Sequence, residues 1–151
     1  MSLEPELHIG GIEPAEALAP LIEDAVRRTL DTGPLEGPPL TEAEVAVTLV
    51  SPAEMRELNR RFHGIDTPTD VLAFYLGSVH GRVETSLLGD VYVCPEIAGR
   101  AACELGIDAG EEVIRLVIHG VLHLLGHDHP VGEERDESDM FRLQERLLGE
   151  G

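Results

Sequence analysis

Apolar and polar residues alternate in two rhythms along the chain, and each change of rhythm marks a boundary. "ELHIGGI" alternates weakly and predicts a first strand. "PAEALAPLIEDAVRRTL" carries apolar residues at helical spacing, with Pro14 near its start. The glycine- and proline-rich "TGPLEGPPLTE" is a loop, and the valine-rich alternation of "EVAVTLVS" is a strand. In "SPAEMRELNRRF", Ser51 suits the N-cap, Pro52 the first helical position, and Glu54 completes a capping box. "HGIDTPTD" breaks that helix. "VLAFYLG" follows as a strand, "SVHGRVETS" as a hairpin or loop, and "LLGDVYVCP" as a strand stopped by Pro95.

The last third is helical. "EIAGRAACELG" predicts a short helix closed by Gly106, and Asp108 with Glu111 forms a capping box for the next. That helix, "EEVIRLVIHGVLHLLG", is apolar nearly all round from Val113 to Leu125, so it belongs inside a core. A final helix, about Glu133 to Leu148, places Met140, Phe141, Leu143, Leu147 and Leu148 on one side. The order of elements predicts an α+β or mixed α/β layer fold. We expect a single mixed sheet packed against helices, and one domain over residues 1–151.

Four of the seven histidines lie between Val117 and His129, in "VIHGVLHLLGHDH". His119 and His123 stand four apart, on one face of a buried helix, which suits two imidazoles converging on one ion. His127 continues that step, but on an unbroken helix it would lie about 12 Å from His119 along the axis. The chain must turn, and Gly126 is where it can. After that turn His129 has the reach of a third ligand, while His127, at the turn itself, points elsewhere. Three histidines leave one tetrahedral position open, the mark of a catalytic rather than a structural metal.

The resulting H-x-x-x-H-x-x-G-x-x-H has the ligand spacing of the metzincin proteases. Those enzymes place a glutamate base directly after the first histidine; here that residue is Gly120. The metal ligands survive and the peptidase base does not.

Composition narrows the reading. The chain carries 29 acids against 11 bases, a formal charge of −18, and every base is arginine. Such a charge opposes binding nucleic acid by bulk attraction, although a local arginine-lined cleft remains compatible. The apolar runs are too short to cross a bilayer, and "MSLEPELHIG" is acidic where a secretory signal would be basic. The expectation is a soluble cytoplasmic protein with Cys94 and Cys103 as unbonded thiols.

With these residues in hand, the sequence resembles the YbeY family of bacterial metal-dependent endoribonucleases. His119 to His129 is similar to that family's H-G-x-L-H-L-x-G-x-D-H, and "LNRRFHGIDTPTDVLAF" (Leu58 to Phe74) is similar to a second block. "LLGDVYVCPE" resembles the strand before the family's metal-site helix. The likeness covers roughly residues 45 to 148. It implies an α+β fold and one zinc ion held by His119, His123 and His129, or another divalent transition metal in its place. It implies endonuclease action on single-stranded RNA, in ribosomal RNA maturation and ribosome quality control, with the small ribosomal subunit or its proteins as partners. Three positions depart from the pattern. His63 stands where the family has arginine, Ala73 where it has serine, and His127 where tyrosine is expected.

The chemistry expected is metal-assisted phosphodiester cleavage, with a cation beside the ion to neutralise charge growing on phosphorus. Arg60, Arg61 and His63 are the candidates for that cation. Asp128 can orient a ligand histidine, as carboxylates commonly do. Asp70 and Asp90 read as turn stabilisers. Two other classes stand beside the nuclease. One is a ribosome-assembly factor with a structural metal, and the other a metallopeptidase, against which Gly120 argues.

Overall fold

The computed structural model describes residues 3–77, 85–127 and 139–151. Within them four strands and five helices follow the order β1 (Glu6–Gly11), α1 (Ala15–Asp31), β2 (Glu42–Leu49), α2 (Pro52–His63), β3 (Val71–Gly77), β4 (Ser86–Val93), α3 (Pro95–Leu105), α4 (Ala109–Leu124) and α5 (Asp139–Gly149). This is the α+β fold that the order of elements predicts. The hairpin or loop expected at "SVHGRVETS" falls largely on residues 78–84, outside the described residues, as do residues 133–138 of the expected last helix.

One mixed sheet has the order β1-β2-β4-β3. β1, β2 and β4 run parallel, and β3 pairs antiparallel with β4 as an edge strand. Residues along a strand face alternate sides. In β2, Ala43, Val45, Val47 and Leu49 are buried and face the main core, with Leu87, Val91 and Val93 of β4. The opposite face carries Leu72, Phe74 and Tyr92, and α2 closes over them with Met55 and Leu58. Asp90 lies in the middle of β4, opposite Phe74, rather than at a strand start. Burial first, and then the Asp90 carboxylate, hold the Tyr92 pKa above its ordinary value.

α4 is the centre of the main layer. Its residues Val113, Ile114, Leu116, Val117, Ile118, Val121, Leu122 and Leu124 are all buried, as an all-round apolar helix requires. Asp108 caps its start by accepting from the Glu111 backbone N–H at 3.0 Å. The helix ends where the glycine permits. Gly126 takes φ +97°, its N–H donates to the His123 carbonyl, and the His127 N–H donates to the Leu122 carbonyl at 3.0 Å. That pair of bonds is a Schellman motif, and it redirects the chain straight after the two histidines. Cys94 and Cys103 are free thiols, one buried and one exposed. No described helix is long and apolar enough to cross a membrane.

α4 approaches the sheet closely at Gly120 and again where its Leu124 side chain meets Gly89 of β4. A Cβ added to Gly120 would lie 2.6 Å from Cγ1 of Val91 in β4. Val91 is fully buried and β-branched, so it has little room to give way. Gly120→Ala is therefore expected to lose about 1–3 kcal/mol, read as a lower urea midpoint with unchanged slope. Combined with Val91→Ala, it should cost less than the sum of the two single changes. Equal midpoints for Gly120→Ala and the parent would show that the contact is not tight.

Candidate metal centre

His119 and His123 project from adjacent turns of α4 to the same place. Their Nε2 atoms lie 3.0 Å apart, with the rings edge to face. Two imidazole nitrogens bound tetrahedrally to one zinc stand about 3.4 Å apart, given bonds of about 2.0–2.1 Å. The pair is therefore close to a two-ligand grip.

Proton placement supports the same use. His119 is only 5% exposed, and its Nδ1 meets Oε1 of Gln144 from α5 at 2.8 Å. The Gln144 amide orientation follows from its other side, where Nε2 stands 3.1 Å from a Glu145 carboxylate oxygen. An ionised carboxylate only accepts, so Nε2 must face Glu145 and Oε1 must face His119. His119 then donates from Nδ1, and its Nε2 presents a lone pair toward His123. A metal-ligating histidine commonly donates its other N–H in this way.

The support extends one step further. Arg115 donates to Glu145 at 2.9 Å and to Glu112 at 2.5 Å. Burial pulls the Arg115 pKa down, but hydrogen bonds and charge from Glu145 and Glu112 outweigh it and hold it above its ordinary value. Sequence reasoning missed Gln144. The sign was present, since Gln144 is a polar residue set among Met140, Leu143, Leu147 and Leu148 on the apolar side of α5. It is 3% exposed.

A cleft of about 410 Å³ opens over the pair, lined by His119 and His123 on α4, by Val71, Ala73 and Tyr75 on β3, and by His63 on α2. His63 is the last residue of α2, where Gly64 in the left-handed region ends the helix. The following loop is tied back twice. Arg56 grips Asp66 with two bonds of 2.8 and 3.0 Å, and buried Asn59 donates to the Thr67 carbonyl at 2.9 Å. The Asp66 hydrogen bond holds the Arg56 pKa up, and Arg56 lowers that of Asp66. The His63 ring itself stacks on Phe74.

Arg60 and Arg61 lie on the same last turn but do not line this cleft. Arg60 bonds Glu57 at 2.6 Å, which raises its pKa and lowers that of Glu57. Arg61 lies 3.8 Å from Glu57 and beside the Phe62 ring. His127 is part-buried, and burial pushes its pKa down. Asp128 and His129 lie outside the described residues. Asp70 ends the loop before β3, where its carbonyl accepts from the Cys94 N–H.

A second group close enough to share an ion is Glu6, His8 and Glu44. His8 Nε2 stands 3.7 Å from Glu6 and 3.5 Å from Glu44. These residues sit on β1 and β2, toward the sheet edge opposite β3, and the group is largely exposed.

The comparison with known proteins is consistent with this geometry. A family model described as "Endoribonuclease YbeY" matches residues 13–150. The chain belongs to the YbeY endoribonuclease family. An endoribonuclease YbeY of Salinispora tropica is 48% identical over 116 residues, covering 70% of this chain and 73% of the relative. One from Mycolicibacterium gilvum is 37% identical over 147 residues, covering 93% and 78%. A Thermotoga maritima protein of known solution structure is 32% identical, with a TM-score of 0.64, and the match covers 95% of this chain and 87% of that one. Membership makes the chain one of a family of nuclease hydrolases, and an endoribonuclease acts on RNA.

Gln144→Leu removes the acceptor for His119 Nδ1–H without touching a ligand. Zinc affinity, measured by competition with a chelator, should fall about 10- to 100-fold while the fold is kept. Unchanged affinity would mean that Gln144 does not set the tautomer of His119.

Proposed function

We propose that the chain is a zinc-dependent endoribonuclease that cuts single-stranded RNA in ribosomal RNA maturation and ribosome quality control. It would act in the cytoplasm, beside the small ribosomal subunit. The observation that carries the metal reading is the 3.0 Å approach of the His119 and His123 Nε2 atoms within a cleft that His63 also lines. Family membership supports the nuclease reading.

His119, His123 and His129 would hold the ion. An all-imidazole donor set suits zinc and also accepts copper, iron or nickel. When bound, the ion supplies Lewis acidity and a water activated near neutral pH. The chain's own residues then divide the remaining work. Gln144 keeps His119 oriented, and Asp128 is positioned in sequence to do the same for a neighbouring ligand. His63, on the facing wall, is placed to neutralise charge on the phosphate or to give a proton to the departing oxygen. Arg60 and Arg61, on the same helix end, are held by Glu57 and stand outside the cleft, so His63 is the favoured of the three candidate cations.

Three measurements test this. Zinc-loaded protein should cut single-stranded ribosomal RNA while sparing a duplex and an unstructured protein. A chelator should stop cleavage and zinc restore it. His123→Ala, prepared identically to exclude contaminating nuclease, should be inactive; equal cleavage by this variant would sink the proposal.

His63→Ala should lower kcat about 10²- to 10³-fold, the range of a lost group that stabilises transition-state charge. His63→Arg, which restores the family residue, should retain activity. If alanine and arginine behave alike, His63 has no charge-bearing role.

A further inference from the structure

Aromatic residues are scarce in this chain, with three phenylalanines, two tyrosines and no tryptophan. One of them is spent on an exposed position at the mouth of the cleft. Tyr75 is 56% exposed on edge strand β3. Alternation along the strand puts Val71, Ala73 and Tyr75 on the side facing the histidines.

Tyr75 also borders a second cavity, of about 370 Å³, which reaches the Pro34–Leu40 segment before β2. The two cavities share Tyr75 and Leu124, so they adjoin with the tyrosine between them. Their chemistry differs. The first has three histidines. In the second, Glu36 is the one charged side chain among the described lining residues. A carboxylate repels phosphate, so this end suits a neutral base or sugar.

Ionic attraction is a poor source of affinity here. No described arginine lines either cavity. Every described arginine stands within 4.0 Å of a carboxylate. The remaining general means of holding a single strand is stacking of its bases on an aromatic face, which tolerates any sequence.

We propose that Tyr75 is a stacking platform for an unpaired base next to the scissile phosphate, with the phosphate in the histidine cavity and the following nucleotide toward Glu36. This rests on the reading of the cleft as the RNA-cutting site. It also supplies a physical basis for single-strand preference, because a base in a duplex must first be unstacked to reach the ring.

The test exploits the absence of tryptophan, which leaves Tyr75 and part-buried Tyr92 as the emitting groups. A short single-stranded 2′-O-methyl oligonucleotide of mixed sequence is titrated into zinc-loaded protein, with the matching duplex in parallel. Tyrosine emission should fall with the single strand and not with the duplex, and the drop should be missing in Tyr75→Phe. By anisotropy of a labelled oligonucleotide, Tyr75→Ala and Tyr75→Leu should each weaken binding about 5- to 150-fold, while Tyr75→Phe keeps it. On cleavable RNA the same two variants should raise KM and leave kcat nearly unchanged. Leu76→Ser, at the neighbouring exposed residue, is the control and should bind like the parent.

Binding by Tyr75→Ala equal to the parent would overturn the proposal, as would retention by Tyr75→Leu with loss in Tyr75→Ala, which marks simple apolar filling. A parent that cleaves RNA yet shows these results would leave the nuclease site standing and remove only the platform. A parent that neither binds nor cleaves would remove both.

Discussion

An imidazole buried in the middle of a hydrophobic layer must have both ring nitrogens satisfied, and His119 is such a group. One nitrogen is answered by Gln144, and the other is turned to the point it shares with His123. This requirement links folding to chemistry. Gln144 belongs to α5, so the docking of α5 on α4 supplies the acceptor that sets the tautomer of His119. Arg115 and Glu145 then hold the amide in place, in a network where each bond polarises the next. The apolar contacts of Met140 and Leu147 fix the helix that delivers the polar group.

The contact between Gly120 and Val91 explains where the resemblance to metal-dependent peptidases stops. The three-histidine spacing is a way of placing ligands on a helix and its turn, and it carries no reaction with it. A glutamate at position 120 would have to pass through the buried Val91 side chain. The fold therefore closes the position from which a peptidase base acts. His63 is the titratable side chain that a different helix brings to the facing wall of the cleft.

Local rules gave much of this in advance. The Ser51 and Asp108 caps, the alternation of β2, the all-apolar α4 and the turn at Gly126 each depend on residues a few positions apart, and each is formed. The four-residue spacing of His119 and His123 likewise needs only helix geometry. What depended on distant pairing was not readable. Nothing local says that β4 lies between β2 and β3, yet that order makes β3 an edge and sets Tyr75 beside the histidines. A polar Gln144 on the apolar side of α5 was visible, but its partner was not, because His119 is 25 residues away on another helix. His63, Arg60 and Arg61 share one helical turn in sequence, and only the packing of α2 over β3 separates the residue that lines the cleft from the two that do not.

The acidic balance gains a meaning once the cleft is drawn. A charge of −18 repels any polyanion, and it repels a duplex more strongly than a single strand because the duplex packs its phosphates more densely. An attractive, arginine-lined groove would draw in both. The proposed track, with its histidine pair, one aromatic face and Glu36 as the charged side chain of its far end, would gain little from backbone charge along its length and something from each unpaired base. Selectivity of this kind comes from what is withheld as much as from what is offered. On the proposed reading, pairing every described arginine with a carboxylate would keep general attraction low enough for stacking and coordination to decide what is held.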